Sequence, residues 1–235
     1  MLCNISDLIT EIPATGDLVP RCWDYLYKGQ KAAEIVISES DFRPNAWKGL
    51  TGDPYVYMES GGHFYRELLK HDGMMLHSSA VAYEGRGYLF SGPCGTGKST
   101  HTRLWQREFG AEAKIFNDDK PALRRMADRW YAYGTPWCGK DGININMKVP
   151  LGGICFLKQS KENRIRRLRA SEAVERIIWQ TIYRFKAEEN LDLMLRQVDR
   201  LVREIPIYEL ENRPEPEAAR MSYETMRRGA EEAGL

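Results

Sequence analysis

The stretch Tyr88-Leu89-Phe90-Ser91-Gly92-Pro93-Cys94-Gly95-Thr96-Gly97-Lys98-Ser99 decides how this chain is read. It satisfies G-x-x-x-x-G-K-[ST] in full, with an apolar strand entering the loop and a helix leaving it. Glycines at Gly92, Gly95 and Gly97 let the backbone curl until successive N–H groups face a phosphate. The helix N-terminus adds its partial positive charge. Lys98 supplies a mobile cation for β- and γ-phosphates, and the Ser99 hydroxyl can ligate magnesium. The expected nucleotide contacts are therefore Gly92, Pro93, Cys94, Gly95, Thr96, Gly97, Lys98, Ser99 and Thr100, with ATP and Mg2+ as the implied ligands.

Outward from the loop, the pattern alternates strands and helices, an α/β order. Upstream lie strands at about 75–83 and 87–91, joined through Glu84-Gly85-Arg86-Gly87, after a helix at 63–71. Residues 1 to about 60 read as irregular, with turn formers such as Pro13, Pro20, Pro44 and Pro54 and one strand at 32–38. Trp23, Tyr25, Tyr27 and Trp47 call for burial. Residues 1–73 are thus expected to form an N-terminal extension or subdomain packed on the core, and 74–235 a P-loop domain with C-terminal helices. Downstream come a helix at 98–109 and a strand at 113–116 running into Asn117-Asp118-Asp119. A hairpin of 122–126 and 130–133 turns at Asp128, and the apolar run 151–157 is strand-sized. Ser171 with Glu172 marks the start of an amphipathic helix carrying Val174, Ile177, Ile178 and Ile182. Another helix, 188–203, places Leu191, Met194, Leu195, Val198, Leu201 and Val202 on one face. A strand at 207–210 and a helix at 216–229 follow.

Composition narrows the function classes. Lys+Arg (34) and Asp+Glu (33) nearly cancel over 235 residues. That balance argues against a nucleic-acid binder, which shows a basic excess or stripe. The alternating basic run Arg164-Ile165-Arg166-Arg167-Leu168-Arg169 reads as a solvated strand face or the seat of an acidic partner or phosphate. No apolar run approaches the roughly 20 residues that span a bilayer, so no membrane partner is expected. The five widely spaced cysteines lack a C-x-x-C pair and fit free thiols in a reducing cytoplasm, and no signal-peptide pattern stands at Met1-Leu2-Cys3-Asn4. A cytoplasmic location is expected.

Around the loop, the residues resemble the HPr kinase/phosphorylase catalytic domain and, more distantly, phosphoenolpyruvate carboxykinase. His77 in Leu76-His77-Ser78-Ser79-Ala80 stands fifteen positions ahead of Gly92, the family's own offset. The loop itself matches, and Asp118-Asp119 occupies the register of the family's acidic pair. The resemblance covers about residues 74–160. It implies a mixed, largely antiparallel sheet with flanking helices, ATP and magnesium as cofactors, transfer to a hydroxyl, and assembly into a homo-oligomer. Two departures matter. No glutamate stands in Gly134-Thr135-Pro136-Trp137-Cys138-Gly139-Lys140-Asp141-Gly142, where the family carries an acidic metal ligand. The family's C-terminal phosphorylase signature is not found either, so a small molecule or peptide other than HPr is the expected acceptor.

The chemistry assigns expected roles. Asp118 is the expected base for the hydroxyl proton, with His77 beside it tuning its charge and Lys98 on the phosphates. Ser99 and Asp119 are the expected metal ligands. Thr135, Trp137, Gly139 and Lys140 are candidate substrate contacts, with a buried tryptophan on a tight loop as the competing reading. Asn144 and Asn146 share a face and could reach the same cleft, whereas His101 reads as a packing or capping residue. A kinase with an alcohol acceptor is the leading function. A non-catalytic nucleotide sensor or ATPase switch is the alternative, and a carboxykinase-like lyase would need more arginines and metal ligands than the chain shows.

Overall fold

The computed structural model describes residues 1–43, 49–181 and 188–235, so Pro44, Trp47 and Ile182 lie outside the described residues. The chain opens with strands β1 (Leu2–Ile5) and β2 (Leu8–Glu11), a short helix α1 (Leu18–Arg21), strand β3 (Ile35–Val36) and helix α2 (Gly52–Leu68). Strands β4 (Gly73–Met75), β5 (Ser78–Tyr83) and β6 (Arg86–Ser91) lead to helix α3 (Lys98–Phe109). Then come β7 (Lys114–Asp119), β8 (Ala122–Met126), β9 (Arg129–Tyr133), β10 (Lys148–Gln159) and β11 (Arg164–Arg167). Helices α4 (Ala170–Gln180) and α5 (Glu188–Glu204), strand β12 (Ile207–Asn212) and helix α6 (Pro216–Glu232) complete it.

Among the described residues, nine strands form one curled sheet in the order β4-β8-β9-β10-β6-β5-β7, with β12 beside β10 and β11 beside β12. Of its eight described pairings, only β10 with β6 and β10 with β12 are parallel; the rest are antiparallel. The architecture is therefore mixed α/β with a mostly antiparallel sheet and flanking helices. Strand β10 makes the curl: its first residues pair with β9, and its later ones with β6 and β12.

Alternation along β6 and β10 feeds two cores. Leu89, Ile154 and Phe156 meet Ile177, Met194, Val198 and Leu201 of α4 and α5. Tyr88, Phe90, Cys155 and Leu157 point the other way, under Trp105 of α3 and Met226 of α6. Strands covered on both faces read as continuous apolar runs, which is why 151–157 has no polar interruption. A third core joins the N-terminal sheet β1-β2-β3 and α2 to Tyr133 and Trp137.

Several local expectations need correction. The hairpin β1–β2 was not expected, because its turn residues Ser6 and Asp7 adopt positive φ without glycine and so lack the usual signature. The strand expected over 32–38 shortens to β3. Helix α2 begins eleven residues earlier than the periodicity suggests, since Gly61 and Gly62 lower its apparent propensity. Gly61 is required there: a Cβ would lie 2.8 Å from the Trp137 ring. Trp23 is 65% exposed instead of buried, and Tyr27 is half-buried, while Tyr25 fills the core. The N-cap of α4 is Arg169, whose N–H donates to Glu172 Oε2 at 3.1 Å, and Ser171 lies inside the helix. On α5 the buried stripe is Met194, Gln197, Val198 and Leu201, with Leu191 and Leu195 exposed. The basic strand β11 finds its acidic partners within the chain, where Arg166 pairs with Glu172 and Glu209.

The strand expected over 75–83 breaks at Leu76-His77. Its first part, β4, pairs with β8, and its second, β5, lies between β6 and β7. The break carries His77 across from one part of the sheet to the other and sets it beside Ser91, where the glycine-rich loop begins.

Candidate active site

Strand β6 delivers the loop and α3 receives it. Gly92, Gly95 and Gly97 have φ of 145°, 82° and 97°, a region that side chains with a Cβ rarely adopt. Gly97 is the N-cap of α3. Lys98 Nζ folds back onto the loop, donating to Gly92 O at 2.9 Å and Pro93 O at 3.2 Å. Burial draws its ammonium below the ordinary lysine value, against the opposing pull of Asp119 and Asp118. Gln159 Nε2 of β10 donates to Gly95 O at 3.0 Å and steadies the loop from outside. Cys94 is exposed.

The acidic pair ends β7, next to β5 in the sheet, with Asp118 opposite Ser79 and Asp119 opposite Ser78. Here the structure separates the two carboxylates. Asp118 is only 7% exposed and accepts from Ser99 Oγ at 3.0 Å. Asp119 turns towards His77, whose Nε2 lies 3.1 Å from Oδ1, and its other oxygen meets Lys120 Nζ. Burial alone would raise the Asp119 carboxyl, but the hydrogen bond from His77 and the charge of Lys120 hold it at about 2. Asp119 also has φ 127°, a strained value for a residue with a Cβ. The expected contact of His77 with Asp118 is thus replaced by one with Asp119.

His77 is held on every side. Its Nδ1 lies 3.0 Å from Gln180 Oε1, its N–H donates to Gln180 O at 2.7 Å, and its carbonyl accepts from Ser91 Oγ at 2.8 Å. The ring therefore bridges Asp119 and Gln180. Gln180, at the end of α4, carries no signal in the sequence and was missed. Lys120 was missed too, although its position directly after the acidic pair was a signal.

Residues 134–138 are buried. Thr135 is fully buried, bonded to Tyr65 Oη at 2.9 Å and to Lys120 O at 2.8 Å. Trp137 is fully buried as well, stacked on Phe64 with ring centroids 5.0 Å apart and donating to Ser60 Oγ at 3.1 Å. Neither side chain can touch a substrate without unpacking the third core. Gly139 has a structural task, because its N–H reaches Asp118 O and a Cβ there would approach that oxygen to 2.9 Å. Lys140 is exposed. Asn144 and Asn146 do share a face, but they donate to Arg21 O and Asp24 O of the N-terminal segment. His101 is a packing residue, as expected, with its ring on Phe90 and its Nε2 3.0 Å from Ser222 Oγ.

Open space borders the loop on two sides. One cavity of about 270 Å³ lies between Gly92-Pro93 and Arg176, Trp179 and Gln180 of α4. Another, of about 410 Å³, adjoins Gly95, Gly97 and Thr100. The oxygen pair Ser99 Oγ and Asp118 Oδ1 suits a hard divalent ion that keeps waters and takes phosphate oxygens as its remaining ligands. Among the described residues, no group of three or more His, Cys, Asp or Glu forms a cage for a metal. None of the described helices is long and apolar enough to cross a membrane.

A family model described as "SynChlorMet cassette protein ScmC" matches residues 56–213. The match takes in the loop, the acidic pair, His77 and Gln180. No curated protein matches the chain. Among solved structures, the Hpr(Ser) kinase/phosphatase from Coxiella burnetii is similar at 11% identity and a TM-score of 0.38, covering 68% of this chain and 96% of that one.

Proposed function

From the premise that the chain belongs to the SynChlorMet cassette protein ScmC family, we propose that it transfers the γ-phosphoryl group of ATP to a hydroxyl. One observation supports this reading above the others. A complete phosphate loop faces a carboxylate pair whose members have different partners, Ser99 for Asp118 and His77 for Asp119.

In this reading the loop N–H groups from Cys94 to Thr100 cradle the phosphates, and Lys98 leaves the carbonyls of Gly92 and Pro93 to meet them. Ser99 and Asp118 would hold the magnesium ion, which supplies charge neutralisation on the phosphate oxygens. The base role therefore moves from Asp118 to Asp119, and the metal role from Asp119 to Asp118. Asp119 with His77 orients the hydroxyl and receives its proton. A carboxylate held at about 2 is a weak base, so its contribution is orientation first and proton acceptance late, as phosphoryl transfer with a loose transition state allows. The acceptor enters from the α4 side, through the cavity lined by Arg176, Trp179 and Gln180, because residues 134–138 are closed off. That space suits a small molecule or a single side chain of a peptide.

The test pairs Asp119→Asn with Asp118→Asn in the full chain, supplied with ATP, magnesium and a metabolite and peptide extract. Phosphorus NMR should find a phosphomonoester stable to hydroxylamine. Asp119→Asn should bind nucleotide normally and lose transfer by roughly 10²–10⁴-fold, whereas Asp118→Asn should raise the magnesium requirement. Nucleotide binding without any phosphomonoester would favour a sensor or switch. Binding unchanged in Lys98→Ala would remove the phosphate-loop assignment itself.

A further inference from the structure

We propose that Arg21, brought by the N-terminal segment to the Asp119 face of the site, binds an anionic group of the acceptor, so that the acceptor is an alcohol carrying a carboxylate or phosphate close to its hydroxyl. This rests on the phosphoryl-transfer reading above and adds to it the class of acceptor. Arg21 lies outside residues 56–213, the span that the family model matches.

Position is the first argument. Cys138 pairs with Asp119 in an isolated antiparallel bridge. Residues paired in this way put their side chains on one face, with Cβ atoms about 4.5–5.5 Å apart. Arg21, the last residue of α1, donates from Nη1 to Cys138 Sγ at 2.7 Å. Its guanidinium therefore stands one side chain away from the carboxylate that meets His77. His77 in turn reaches Gln180 of α4. Gln180, His77, Asp119 and Arg21 thus follow one another across the site. An acceptor whose body fills the α4 cavity and whose hydroxyl reaches Asp119 has Arg21 just beyond that hydroxyl.

The second argument is charge. Among the described residues Arg21 has no carboxylate partner; it meets only the Cys138 sulfur and the Tyr57 ring. A thiol is a weak acceptor, and burial pushes the Cys138 thiol up, which keeps it neutral. Lys120 is already matched by Asp119 on the same face. Two cations therefore stand against one carboxylate, and an anion from the acceptor restores the balance.

The third argument is that the guanidinium is held in place with donors to spare. The Tyr57 ring centroid lies 5.0 Å from Arg21 Cζ. Tyr57 Oη accepts from Cys138 N–H at 2.6 Å and donates to Cys138 O at 2.7 Å, which fixes the sulfur. Asn144 Nδ2 donates to Arg21 O at 2.8 Å, and Asn144 bridges to Asn117 of β7, the strand that carries Asp119. Nε and Nη2 have no partner among the described residues, and a planar guanidinium fork matches carboxylate and phosphate oxygens. Arg21, Tyr57, Asp119, Lys120 and His77 are all part-exposed, so a ligand can reach them.

The test supplies the full chain with ATP, magnesium and the metabolite and peptide extract. The phosphorylated product is isolated and identified by mass spectrometry and phosphorus–proton NMR. It should carry a carboxylate or phosphate besides the new ester. With that acceptor purified, Arg21→Ala should raise its KM at least about tenfold, more than it lowers kcat, and leave the KM for ATP in place. Arg21→Lys should recover part of the loss, since the charge remains and only the forked donors go. A product whose only acidic group is the new phosphate overturns the inference, whether or not the variants fold, and leaves the kinase reading standing. A fall in kcat with the acceptor KM unchanged in Arg21→Ala also overturns it, because the guanidinium would then act on the phosphoryl group in transfer. Absence of any phosphomonoester with wild type removes both readings.

Discussion

Replacing His101 by glutamine should flatten the acid limb of the stability curve. The imidazole is buried against Phe90 and pushed from its ordinary 6.5 down to about 3 by loss of hydration alone. An unfolded chain therefore takes up a proton that the folded chain refuses. Stability is fully present above about pH 6.5 and is lost as the pH falls towards about 3. From about pH 7.5 to about pH 5 the unfolded state gains roughly one and a half decades of proton binding, a loss of about 2 kcal/mol. Glutamine keeps a donor for Ser222 and cannot take up the proton. Urea unfolding followed by far-UV circular dichroism across this range should show the wild type falling about 2 kcal/mol further than His101→Gln. Parallel curves would refute the argument, since they would mean that His101 is hydrated or protonated in the fold. The effect bears on function because His101 lies on the first turn of α3, the helix whose start carries Lys98 and Ser99.

Trp137→Ala should cost about 3–5 kcal/mol in thermal or urea unfolding, the usual range for a buried aromatic. Its affinity for pyrophosphate per folded molecule should not change; a stable variant with weakened ligand binding would return Trp137 to the substrate site. Gly139→Ala forces a Cβ to 2.9 Å from the backbone oxygen of Asp118. It should lower phosphoryl transfer while pyrophosphate binding persists, with activity and calorimetry measured on the same preparation. Glu209 is buried between Arg166 and Arg176. Glu209→Leu should take from Arg176 its carboxylate partner while Arg166 keeps Glu172, and, because both guanidinium groups are partly exposed, cost about 1 kcal/mol in urea unfolding.

Local chemistry determined a good part of this protein before any fold was drawn. The glycine-rich loop, helix α3 and the hairpin β8–β9 follow from glycines, turn residues and short-range periodicity, each of which acts within a few residues of chain. So does the placing of Asp118 and Asp119 at a strand end. Signals weaken where local preference is overridden by packing. Gly61 and Gly62 disguise α2 because the contact with Trp137 compensates for their poor propensity, and Ser6 and Asp7 turn a hairpin without the glycine that would announce it. Tertiary structure alone decided the pairings that matter for chemistry. Which carboxylate meets His77 depends on the break between β4 and β5 and on β5 lying between β6 and β7. Gln180 reaches His77 across 103 positions of sequence. Thr135 and Trp137, polar or aromatic residues on a glycine-bounded loop, look available in sequence. Burial against Tyr65, Phe64 and Ser60 withdraws them. Residue type sets what a side chain can do, but the register and packing of distant segments set which neighbours and how much water it has.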